Sequence, residues 1–197
     1  MNAVLTALGV PDDIQAFFGA EELVFTYGCH YEHYTQEFHR VPTTTHLWTA
    51  GSLVTREVII TPTAMEAIAY LTLHRHKYHR LENLTCVAVG NLPHRSQLKW
   101  ISEHLSGKKF TLVFPRDLLG NLADIKIAAA IKGQHVAFKH LPTSIEIQFK
   151  RLIFQFAEDE LSLNKFEKFT ALRTGCRTAK PKSAYTFLEQ LKNEPIK

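Results

Sequence analysis

Three short apolar runs rich in β-branched residues, each leading into an amphipathic stretch, constrain this chain more than any other feature. They are EVIIT at 57–61, LTCVAV at 84–89 and FTLVF at 110–114. Runs this uniformly apolar have no wet face and belong to strands buried on both sides. A change of period from two to 3.6 residues marks a strand handing over to a helix. Helices are expected at 63–73, where Met65, Ile68 and Ala69 share a face, and at 94–105, around Leu98, Ile101 and Leu105. A third, alanine-rich, is expected at 119–131, closed by Gly133. With a fourth strand read at 136–140, the order over 57–141 is β-α-β-α-β-α-β. That alternation implies an α/β fold, a mostly parallel Rossmann-like sheet flanked by helices with right-handed crossovers.

The flanks read differently. Residues 1–54 form a small N-terminal β/α extension. Its helices lie at 2–8 and 12–18, broken at Gly9-Val10-Pro11, and a β meander follows from 23–27, the aromatic-rich 31–41 and 46–49. Residues 55–141 are the core domain. Residues 142–197 supply strands and helices that pack on it. Ile145, Ile147 and Phe149, then Leu152, Phe154 and Phe156, alternate with polar residues as strands do. Ser162 is placed to cap a helix at 163–172, and a last helix is expected at 183–192. Between them RTGCRTAKPK, at 173–182, reads as a basic, turn-rich linker or exposed arm.

Composition excludes several classes. A chain of 197 residues, 45% of them hydrophobic, buries a sizeable core and is not disordered. Cys29, Cys86 and Cys176 are far apart with no CxxC pair, which argues against a disulfide scaffold and a cysteine-based zinc finger. No apolar run approaches the about 18 residues a membrane span needs, and the opening MNAVLTALGVPDD lacks the pattern of a signal peptide. A cytoplasmic protein with no membrane partner is the expectation. Neither a Walker-type phosphate loop nor a GxSxG elbow occurs, so NTPase and serine-hydrolase chemistry have no support. A net charge of +4 with 11 histidines permits a polyanionic partner.

Two strand-to-helix corners, REVIITPTAMEAIAY at 56–70 and KFTLVFPRDLLGNLA at 109–123, carry a family resemblance. The core resembles a TOPRIM domain, the module of bacterial-type primases, topoisomerases and small nucleases, and is similar to primase-like TOPRIM proteins of bacterial mobile elements. That family's first strand ends in Glu-Gly with an acid on the next helix, and a later strand ends in Asp-x-Asp with a glycine three residues on. The resemblance puts the Glu on Pro62, the Gly on Thr63 and the helical acid on Glu66. It puts the first Asp on Pro115, the second on Asp117 and the glycine on Gly120. Proline has no side-chain oxygen, so the family's acid/base and one magnesium ligand are absent and the site is degenerate. Asp117 and Glu66 remain as weak candidate metal ligands. Read by themselves, Asp117 is a helix N-cap and Glu66 a solvated residue on a first helical turn.

Function is therefore expected to be noncatalytic and without a cofactor: binding of DNA or RNA, or of a replication or mobile-element protein. A rival is a magnesium-dependent nuclease or primase using Asp117, Glu66 and a recruited Asp124. A third is a protein-interaction module whose disused corner has become a contact surface. Two basic segments suit phosphate contacts, Arg75, Lys77, Tyr78 and Arg80 after the first core helix and Arg173, Arg177, Lys180 and Lys182 in the arm. His74, His76 and His79 are read as complementing a helix C-terminus. Cys29, His30, His33 and His39 hold zinc-type ligand atoms at a spacing poor for a finger. Trp48 and Trp100 are read as core.

Overall fold

The computed structural model describes residues 1–194. Two short helices, α1 (Ala3–Ala7) and α2 (Asp12–Phe18), precede a small antiparallel sheet of β1 (Val24–Tyr27), β2 (His30–Tyr34) and β3 (His39–Arg40). After β4 (Trp48–Gly51) the chain alternates β5 (Glu57–Thr61), α3 (Ala64–Leu73), β6 (Leu84–Ala88), α4 (Arg95–His104), β7 (Lys109–Val113) and α5 (Leu118–Ile131). An antiparallel meander follows, of β8 (Val136–Leu141), β9 (Ser144–Phe149) and β10 (Leu152–Phe156). The last elements are α6 (Leu163–Thr170), β11 (Arg177–Ala179) and α7 (Phe187–Asn193).

The central sheet has the order β11-β7-β5-β6-β4. Its first four strands run parallel and β4 pairs antiparallel with β6. Side chains alternate between two cores, as strands covered on both faces require. Val58, Ile60, Phe110 and Leu112 face α4 and α5, whereas Ile59, Cys86 and Ala88 face α3 and the N-terminal helices. α5 lies between the central sheet and the meander, whose Ile145, Ile147 and Phe149 share its core. That position explains a helix buried at Ala123, Ile125, Ile127, Ala128 and Ala129.

The α/β class stands, and four local readings are corrected. The strand at 136–140 does not join the central sheet, because only Pro142 and Thr143 separate β8 from β9. So short a connection closes an antiparallel hairpin and cannot make a parallel crossover. The edge position goes instead to Arg177–Ala179, inside the segment read as a linker or exposed arm, which pairs parallel with β7. The piece read at 46–49 as part of the N-terminal meander is displaced too: Trp48–Gly51 lines up with β6 and closes the opposite edge. Two of the three antiparallel or parallel sheets, β1–β3 and β8–β10, are wholly antiparallel. Glu66, read as solvated, is 5% exposed.

Candidate functional site

The two corners meet. β5 and β7 are hydrogen-bonded neighbours, and the chain leaves β5 for α3 on one face and β7 for α5 on the other. Where successive connections go to opposite faces, a crevice opens at the carboxyl ends of the strands. Pro62, Thr63, Glu66, Pro115, Asp117 and Gly120 all line one cavity there, of about 280 Å³. Gly120 is required by proximity. A Cβ on it would lie 2.1 Å from the carbonyl oxygen of Pro115, so only glycine lets α5 start this close to the strand end.

Carboxylates around the corner are committed to the chain's own donors. Glu32, at 0% exposure on β2, takes the amides of Ala64 and Met65 at 2.7 and 3.1 Å, Tyr27 Oη at 2.7 Å and His39 Nε2 at 2.9 Å. Those four donors fill a carboxylate's acceptor positions, and with the Thr63 side chain on the Glu66 amide they satisfy the start of α3. Burial raises the Tyr27 hydroxyl, and the adjoining Glu32 carboxylate raises it further. Glu66 repeats the arrangement one helix along, accepting from the Phe187 and Leu188 amides at 2.9 and 3.1 Å. Burial pushes its carboxyl above the usual range, partly offset by those amides. Asp117 is the N-cap of α5, taking the Gly120 amide at 2.7 Å.

Asp124 is 1% exposed and is not among the residues lining the corner cavity. Its Oδ2 meets Lys180 Nζ at 2.7 Å, and its Oδ1 has no partner among the described residues. Burial pushes this carboxyl up to about 6 despite the lysine.

Magnesium, which the resemblance implies, does not fit this donor set. Two prolines offer no side-chain oxygen, both Glu66 oxygens hold backbone amides, and Asp124 points to Lys180. The zinc-type ligands part company as well. Cys29, His30 and His33 line an open hollow of about 720 Å³ beside the small sheet, while His39 turns to Glu32. Among the described residues no three His, Cys, Asp or Glu side chains group as a metal site would.

The basic residues divide. Lys77 and Tyr78, from the turn after α3, share a groove of about 470 Å³ with Arg177 of β11, Lys109 of β7 and Glu57 of β5. The hydroxyl of Tyr78 is held at 2.9 Å by that of Tyr70, which fixes its ring at the groove wall. Arg75 is engaged elsewhere, with Asp13 at 2.7 Å and the Tyr78 carbonyl. Lys180 is taken by Asp124, and Arg173 lies in a separate cleft beside Glu167 and Lys168. Arg80 and Lys182 are exposed outside the groove lining. His74 follows α3, its Nδ1 within 3.0 Å of the Tyr70 carbonyl, and burial lowers its pKa. Trp48 belongs to the core at 9% exposure, and Trp100 packs against the opposite core and stacks on His104.

Glu32 and Lys109 escape sequence reasoning. The available signal for Glu32 is an acid at the same strand parity as the buried Tyr34. Lys109 carries no local signal, since only sheet pairing brings it beside Arg177's strand. No helix among the described residues is long and apolar enough to cross a membrane. No protein-family model, curated protein or solved structure matches this chain.

Proposed function

We propose that this chain is a noncatalytic TOPRIM-like protein, related to the primase-like proteins of mobile elements, that binds DNA or RNA through the groove of Lys77, Tyr78, Lys109 and Arg177. One observation carries the reading. Two basic segments about a hundred residues apart in sequence contribute to a single groove, while the corner carboxylates are spent on helix starts. Cations beside a held aromatic ring suit a phosphodiester backbone with bases stacking on the ring. Glu57 in the same lining tempers the charge, so affinity is expected to be modest and strongly salt-dependent.

Mobility-shift titrations of single- and double-stranded DNA and RNA across a salt series test it. Three phosphate contacts give a log–log salt slope of about −2 on single strands and about −3 on duplex. Replacing Lys77, Lys109 and Arg177 together by alanine flattens that slope and abolishes binding at moderate salt. Absence of binding at low salt, or unchanged binding by the triple variant, refutes the reading.

A further inference from the structure

The corner cavity presents a different chemistry from the groove. Its walls are apolar: Val41, Pro62, Phe114, Pro115, Leu119 and Leu188 line it, and Leu119 together with Leu92 at the rim is exposed, at 63% and 57%. A volume of about 280 Å³ lies at the small end of ligand pockets, which run about 300–1,000 Å³. Its place at the carboxyl ends of β5 and β7 is where open α/β sheets take ligands.

Polar groups at its edge accept more than they donate. Amides at the starts of α3 and α7, which elsewhere attract anions, are filled by Glu32 and Glu66. Asp117 and Glu66 contribute carboxylates to the lining, and among the described residues no lysine or arginine lines it. Lys126 and Lys180 are spent on the carbonyls of Pro93 and Pro115. His39 gives Nε2 to Glu32. Asn91 spends its amide group on Val41 and Thr43.

From this lining we infer that the corner is a binding site for a small apolar molecule bearing an amine, its body between the prolines and leucines and its ammonium toward Asp117. Phosphate and carboxylate ligands are disfavoured there, because the carboxylates of Asp117 and Glu66 in the lining repel them. The site is separate from the basic groove and does not depend on nucleic-acid binding.

A matched pair of probes tests charge and shape together: tryptamine and indole-3-acetate share a ring and carry opposite charges. Amide spectra of the full chain are followed by nuclear magnetic resonance as each is added. Tryptamine is expected to shift the amides of Thr63, Asn91, Gly120 and Thr186 saturably, with Kd about 1 mM for a ligand of this size. Indole-3-acetate is expected to bind at least tenfold more weakly. Asp117→Asn keeps an equally good N-cap while removing one charge, so the fold survives and the preference for the amine narrows several-fold. Three outcomes overturn the proposal: no saturable shift of those amides at 10-fold the expected Kd, equal or tighter binding of the acid, or a preference unchanged by Asp117→Asn. The first of these leaves the exposed leucines as a protein contact instead.

Discussion

Asp124 is a carboxylate buried to 1% exposure with one oxygen on Lys180 and the other without a partner among the described residues. Burial lifts it to about 6, whereas an unfolded chain releases the same proton near 4. Between those values the native state holds the proton more tightly than the unfolded state does. This group therefore favours the fold fully below about pH 4, and its contribution is lost as pH rises towards 6. A shift of that size corresponds to about 3 kcal/mol. Urea denaturation between pH 4 and 6 is expected to show that component in the wild type and to lack it in Asp124→Asn. Identical pH dependence in the two proteins contradicts this account.

Among the elements, α7 shows how a helix too short to stand alone is held. At seven residues it is marginal by itself, and its start is fixed by a side chain 121 residues away in sequence, Glu66 of α3. Phe187, Leu188 and Leu191 then pack into the core with Tyr70 and Leu71. Glu66→Ala leaves two buried amides without acceptors, at a cost of about 2–4 kcal/mol. Glu66→Gln, with one acceptor oxygen, is expected to lose about half of that. Hydrogen exchange should show the amides of α7 opening first while those of β5 and β6 stay protected. Uniform loss of protection would mean that α7 is not held independently of the sheet. A local cap adds to that hold, Thr186 taking the Glu189 amide of α7, just as Asp117 and Ser162 take amides of α5 and α6 three residues on. Those caps are legible in sequence because cap and amide lie three residues apart, whereas the carboxylates that reach α3 and α7 from 32 and 121 residues away are not.

At the scale of the whole molecule, one central sheet separates two cores, each with a tryptophan as reporter. Trp48 sits in the core of α2 and α3, and Trp100 packs against the core of α4 and α5. Because Ile59 and Ile60 on the same strand serve opposite faces, unfolding is expected to be one cooperative event. Single-tryptophan variants, Trp48→Phe and Trp100→Phe, should give coincident fluorescence midpoints in urea. Separated midpoints would show two independently folding faces.

The sequence by itself determined the strand-and-helix alternation of 57–131, the capped starts of α5 and α6, and the alternation in 145–156. Each of these rests on periodicity or on partners a few residues apart, which local order records. Tertiary structure alone decided which segment closes the sheet, which carboxylate serves which helix, and which cations share a groove. A three-residue strand such as Arg177–Ala179 has too little periodicity to be recognised, and its place depends on an open edge of β7 left when β8 turned back on β9. The same holds at the corner. Pro62 and Pro115 are visible in the sequence as prolines at two strand ends, but their meeting in one apolar cavity follows from β5 and β7 being neighbours.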